Sequence, residues 1–309
     1  MAGSFRAGGL AIALLLAVAA CTAPQTARLV EAPGELPPRA ALESVPFFPQ
    51  EAYYCGPAAL AMTLAWSGLD ETPDSIAPAV YTPGREGTLA PDIVAAARRK
   101  GRLAVEIRGL DNLLAEVAAG NPVLVFQNLA LQWWPQWHFA VVTGYDLERR
   151  EIVLHSGTTE RLVTPLDAFE RTWERSDQWA LVTLPPDRLP ASDDRRAVLL
   201  GAAGLEQAGQ QQAAVTAYQA ILMRWPEETA AWIGQGNAWF ALGHYAAAEE
   251  AFRTAIAGAP EAAAAWNNLA YALSRQGRRD EAIEAALKAV ALTGGNAAYL
   301  DTLTEVSGP

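Results

Sequence analysis

The sequence predicts an α+β domain followed by an all-α solenoid. Three observations carry that reading. Between residues 44 and 186 the helix-forming stretches come first and the β-rich runs later, which suits an α+β layer fold better than alternating βαβ units. From residue 195 onward the chain repeats at an interval of 34 residues. Between the two, Pro185-Pro186-Asp187 through Asp193-Asp194 breaks both patterns and marks a linker over 187–194.

In the first domain, a small Ala-rich run predicts a helix from Gly56 to Ser67. A second helix is expected from Ala90 to Lys100, opened by Pro91-Asp92, and a third from Leu110 to Ala119. Strands are expected at Val123–Gln127, His138–Tyr145, Ile152–His155 and Trp179–Leu184. Asp146 to Arg150 is a polar turn between β-rich runs, so the second and third strands should form a hairpin.

The repeats are explicit. Gly209, Gly243 and Gly277 fall 34 residues apart, as do Ala214, Ala248 and Ala282, and Leu205, Trp239 and Leu273. Trp232 matches Trp266, and Pro226 and Pro260 precede them. Paired helices at this period are the tetratricopeptide signature. The central repeat is nearly complete, with Gly236, Trp239, Gly243, Tyr245, Ala248, Phe252 and Pro260. Three repeats cover residues 195 to about 296, and Ala297–Val306 reads as a capping helix, so the repeat domain is 195–309.

Leu10 to Ala20 is the only uninterrupted apolar run, and it is about half the length a spanning helix needs. Arg6 precedes it and Val18-Ala19-Ala20-Cys21 closes it, which predicts a signal peptide over 1–20. Small residues before a Cys resemble a bacterial lipobox. That resemblance implies lipid on Cys21 and attachment to the outer membrane, facing the periplasm. Residues 21–43 are Pro- and Ala-rich without periodicity and read as a flexible tether. A net charge of −11 over 309 residues argues against a nucleic-acid partner.

The chain has two Cys. With Cys21 acylated, Cys55 is the one remaining thiol, a candidate nucleophile. Its flanks place it at a helix N-terminus, where the dipole and free N–H groups favour thiolate. A thiol nucleophile needs a base that also returns the proton, and His suits that task. Of three His, His244 reads as a solvated turn residue, His155 ends a strand, and His138 opens an apolar one. Cys followed by such a His is the papain-like order, so His138 is the candidate base.

Gln50-x4-Cys55-Gly-Pro-Ala-Ala-Leu-Ala-Met and Trp137-His138-Phe-Ala-Val-Val resemble the peptidase C39 family. The lipobox and the repeats together resemble cysteine peptidase lipoproteins that carry a C39-like domain. The resemblance implies a papain-like fold, Cys55 as nucleophile, His138 as general base and Gln50 as amide donor to the oxyanion. It implies a peptide or protein substrate, and a protein partner held by the repeats. Family members orient the His with an Asp-Pro on the next strand; here Ser156 stands in that place. Asp146 lies eight positions from His138, about 26 Å along a straight strand, and is out of reach. Ser156 or a residue from elsewhere, such as Asn128, is then the orienter.

Trp133, Trp134 and Trp137 precede the His and read either as a groove wall or as packing under the hairpin. No metal or cofactor motif appears, so none is expected. Three functions follow: a cysteine peptidase, an inactive peptide-binding scaffold, or an acyl-transfer enzyme using the same thiol.

Overall fold

Every residue from Gly56 to Leu64 is buried, so the helix that begins at Cys55 is apolar on all sides and lies inside its domain. The structure, a computed structural model, describes residues 23–50 and 53–308. The expected signal peptide over 1–20 and Cys21 lie outside the described residues.

In chain order the part before the repeats opens with α1 (Pro24–Glu31), β1 (Arg39–Ala41), α2 (Cys55–Trp66), α3 (Pro73–Val80), β2 (Tyr81–Thr82), β3 (Gly87–Thr88) and α4 (Ala90–Arg99). Next come β4 (Leu103–Ile107), α5 (Leu110–Ala118), β5 (Val123–Asn128), β6 (Trp137–Asp146), β7 (Glu151–Ser156) and β8 (Thr159–Pro165). That part of the chain closes with α6 (Leu166–Glu174) and β9 (Ala180–Leu184). The main sheet runs β4-β9-β5-β6-β7-β8, with β1 added to β6. The helices expected at 56–67, 90–100 and 110–119 are α2, α4 and α5. The expected hairpin is β6–β7, paired antiparallel with His155 opposite Val141.

The stretch expected to be a tether instead holds α1 and β1. Ala23 provides no side-chain cap for α1. The buried carboxylate of Glu170, far along the chain, accepts from the N–H groups of Gln25 at 2.9 Å and Thr26 at 2.7 Å. An anion at that end satisfies orphan donors and suits the helix dipole. Leu29 is buried beneath it. β1 then pairs with the second half of β6, Ala41 opposite Gly144, while β5 flanks the first half up to Val142. The handover needs glycine: a Cβ on Gly144 would stand 2.8 Å from the Ala40 carbonyl oxygen.

The second unit comprises Val94–Val105 together with the chain from Thr183. Residues 94–105 join it through contacts with α7 (Arg195–Gln207), where Gly201 lies against Leu103 and Val105 and Gly204 leaves room for Arg98. The helix pairs continue as α8 (Gln211–Arg224), α9 (Thr229–Ala241), α10 (Tyr245–Gly258), α11 (Ala263–Arg275) and α12 (Arg279–Leu292), with α13 (Ala297–Ser307) last. The period has a physical basis. Gly209, Gly243 and Gly277 each turn the chain at positive φ between paired helices. The indole N–H groups of Trp232 and Trp266 donate at 2.9 Å to the carbonyls of Pro226 and Pro260. Each of these Trp thereby ties its helix to the turn before it in the second and third repeats, while the first has Val198 at that position. Among the described residues no helix is long and apolar enough to cross a membrane.

Gly144→Ala should destabilise the first unit by about 1–3 kcal/mol, because the methyl group collides with main chain that cannot yield without unpairing β1. Urea unfolding measures this, and an unchanged midpoint would show that β1 is not seated as described.

Candidate active site

Cys55 occupies the first position of α2, and Pro57 follows where the first turn has no use for its missing N–H. Gly56 has no room for a side chain, since a Cβ there would lie 2.5 Å from the Thr88 side chain on β3. The position was expected to favour thiolate. The balance goes the other way: burial pushes the Cys55 thiol up, and the N–H groups of Phe139, Gly56 and Cys55 itself offset this only in part. Burial removes water from the sulfur, and that outweighs the helix terminus.

His138 lies on β6 opposite Gln127 of β5. Its Nε2 is 2.9 Å from the Ser156 hydroxyl at the end of β7. When Nε2 donates to that oxygen, the lone pair is left on Nδ1, the nitrogen that can take a proton from a thiol. Burial holds this imidazole below the usual His range. Asn128 does not orient the ring. Its buried amide oxygen accepts from Ala130 N at 3.1 Å and Gln136 N at 3.0 Å, and its nitrogen donates to the Leu131 carbonyl. Asp146 closes the far end of β6, where it accepts from Arg149 N.

Gln50 is buried beside Gly157. Its main-chain N–H donates to the Gly157 carbonyl at 3.0 Å, and the Gly157 N–H donates to its side-chain oxygen at 3.2 Å. The second bond fixes which end of the amide is oxygen, so the NH2 group must point the other way. That nitrogen is buried without a partner among the described residues, as is the Thr88 hydroxyl. An unpaired buried donor costs about 1–3 kcal/mol and calls for an explanation.

Gln50, Cys55 and His138 line one cleft of ≈ 790 Å³, with Thr88, Phe126 and Trp137 among its other walls. Sequence reasoning missed Thr88 and the β2–β3 hairpin. Its signal was Thr82-Pro83-Gly84, a turn dipeptide after a β-branched residue. Trp137 does both jobs foreseen for it, lining the cleft and stacking on Phe126 at 5.1 Å. Trp133 and Trp134 are exposed and pack under nothing. His244 is an exposed turn residue set edge-on to Trp239. No group of three His, Cys, Asp or Glu suited to a metal forms among the described residues.

Comparison with known proteins gives the class of each part. Residues 42–181 match the family model described as the peptidase C39 like family. Residues 202–255 and 240–297 match tetratricopeptide repeats. The chain therefore carries a C39-like peptidase fold followed by tetratricopeptide repeats. Among solved structures it is similar to one described as a C39-like peptidase from Bacillus anthracis, with 18% identity, a TM-score of 0.40, and coverage of 47% of this chain and 97% of that one. The tetratricopeptide domain of Sgt2 from Aspergillus fumigatus is 20% identical, with a TM-score of 0.36, and covers 37% and 78% respectively. No curated protein matches the chain.

His155 gives the site a pH dependence of stability. The ring is buried; Nε2 donates to the Val45 carbonyl at 3.2 Å and Nδ1 accepts from Arg161 N at 3.2 Å. A second ring proton would oppose the Arg161 N–H. Burial is the main cause holding this imidazole below the usual range. The unfolded chain takes up a proton near pH 6.5 and the folded one resists, so stability is full above that pH and falls below it. Thermal melting from about pH 7.5 to 5 should show the fall, and His155→Gln should flatten part of it. Parallel curves for the two proteins would remove His155 from the account.

Proposed function

We propose that this protein is a lipid-anchored cysteine peptidase, attached through Cys21 to the outer membrane and facing the periplasm, whose repeats recruit a protein partner or substrate. The observation that supports it most is the unpartnered Gln50 amide beside Cys55 and a Ser-held His138 in one cleft. In the reaction the Cys55 sulfur bonds to the substrate carbonyl carbon while its proton passes to Nδ1 of His138. The oxygen that gains charge takes the Gln50 N–H, which has waited without a partner. As the C–N bond breaks, His138 returns the proton to the departing amine and a thioester remains. Water, deprotonated by the same imidazole, then releases the acid.

Both titratable groups rest neutral, so proton transfer accompanies attack rather than preceding it. Ser156 holds the ring but brings no negative charge to stabilise the imidazolium. That observation also favours a second reading, a weakly active or inactive scaffold that binds peptides.

Incubation with a library of proteome-derived peptides, followed by identification of new termini, separates the two. The wild-type chain should generate termini absent from a Cys55→Ala control. If it generates none, and no acyl adduct forms on Cys55, the scaffold reading replaces the peptidase. An added amine that becomes joined to the products would mark acyl transfer. Gln50→Ala should lower kcat about 10²- to 10³-fold with little change in KM, the loss of one oxyanion donor. Ser156→Asp should place a carboxylate on Nε2, raise the His138 pKa and favour the ion pair. Alkylation of Cys55 by iodoacetamide near pH 6 should then speed up about tenfold, and an unchanged rate would separate Ser156 from the imidazole.

A further inference from the structure

The segment from Leu129 to Gln136 contains no charged residue, yet it sends large apolar side chains into solvent. Trp133 is 77% exposed, Trp134 73% and Leu131 54%, and Leu129 and Trp137 flank them, also exposed. The loop is built rather than loose. Leu129 N donates to the Gln136 carbonyl at 2.9 Å, Trp134 N donates to the Leu131 carbonyl, and the Asn128 amide closes the base. The Arg175 guanidinium holds the Asn128 carbonyl at 3.0 Å. A buried amide spent wholly on fixing an apolar loop in the open implies an occupant for that surface.

The chain itself indicates which occupant. Ala23 is the first residue of the described N-terminal segment, and α1 begins directly after it, pinned at Gln25 and Thr26 to Glu170 of α6. Arg175, the residue that caps the C-terminal end of that helix, grips the base of the loop. Glu170 and Arg175 are five positions apart, about 7.5 Å along the helix axis. The start of the fold and the Trp-bearing loop are thus held by one short helix. Upstream of Ala23 the sequence offers Cys21 and the apolar run Leu10–Ala20, so either an acyl group or the run itself brings lipid to this point. The expected tether would have let the domain drift far from a bilayer; a helix fixed at Pro24 does not.

We infer that the Leu129–Trp137 loop docks into the interfacial region of a lipid bilayer and, with the N-terminus, holds the cleft at the membrane surface. Trp is suited to that depth, with an apolar body and one N–H for the headgroups. Lacking charge, the loop enters through apolar contact and needs no anionic lipid. Trp137 belongs both to the flank of this surface and to the cleft wall, which joins the loop to the cleft that holds Cys55.

The test uses the full chain on phosphatidylcholine vesicles, with wild type and variant compared at equal bound fractions by co-sedimentation so that only loop contact is read. Hydrogen exchange of residues 129–136 should slow several-fold on vesicles. Brominated phosphatidylcholine should quench tryptophan emission, and Trp133→Ser/Trp134→Ser should lose about half of that quenching, unchanged by high salt. Melting temperature and Cys55 alkylation should match wild type, which keeps this test independent of the catalytic reading. Equal exchange with and without vesicles overturns the inference, as does equal quenching in the double variant. Slowing that appears without lipid and grows with protein concentration also overturns it, assigning the surface to a second copy. Slowing produced by an added apolar peptide alone overturns it in favour of peptide capture.

Discussion

At the end of β7, three consecutive residues each grip a different part of the molecule. His155 bridges the Val45 carbonyl and the Arg161 N–H, Ser156 holds the His138 ring, and Gly157 clasps Gln50 by main chain and side chain. The geometry of the cleft follows from that grip. Successive strand residues face opposite ways, so a slip of one position would turn Ser156 from the imidazole and bring another group to it. The register is protected by an irregularity between Leu154 and Ser156 in the pairing of β7 with β8. There the Arg161 N–H leaves the ladder and, at positive φ, meets His155 Nδ1 instead. A buried ring thus completes a hydrogen-bond pattern that the sheet leaves open.

The electrostatic character of the site follows from a contest that burial wins. A helix N-terminus is worth about 0.3–1 kcal/mol to a neighbouring anion. Withdrawing an anion from water costs several times that unless a counter-charge stands close. At Cys55 the backbone donors are present but burial outweighs them, so the thiol stays protonated. His138 meets the same low-dielectric surroundings with a hydroxyl in place of a carboxylate, and stays neutral too. A neutral pair is poorly suited to reacting with any passing electrophile, and under the proposed reaction it acts on one whose oxygen is placed at the Gln50 amide.

Much of this was legible in the sequence, for reasons that differ by element. The repeats announce themselves because the Gly turn recurs in every unit and the Trp–Pro tie in the last two. α2, α4, α5 and the central strands follow from local pattern. Cys55 and His138 stood out because their flanks are unusual for inert residues. The sequence leaves the orienter open between Ser156 and a residue from elsewhere such as Asn128, and only the fold shows Asn128 spent on its own loop. α1 was illegible because nothing within it explains its order: its N–H donors are satisfied by a carboxylate more than a hundred residues away. β8 reads poorly because most of its residues are exposed and carry no alternation. The assignment of residues 94–105 to the repeat unit could not be anticipated either, since it depends on small residues of α7 making room for side chains from another stretch of chain.

The helix α6 shows how such distant requirements combine. Within one short segment, Glu170 caps α1, Thr172 accepts from Gln127 at 2.6 Å, Ser176 bonds the Phe126 carbonyl, and Arg175 holds Asn128. Gln127 lies opposite His138 in the sheet, and Phe126 forms part of the cleft wall. That nine-residue helix and the two residues after it therefore fix the beginning of the fold, the strand beside the imidazole and the base of the Trp loop. These features cannot shift independently, because each hangs on side chains one or two turns apart on a single rigid element. Whatever surface meets the loop is thereby registered against the cleft, without any need for a hinge or a lid.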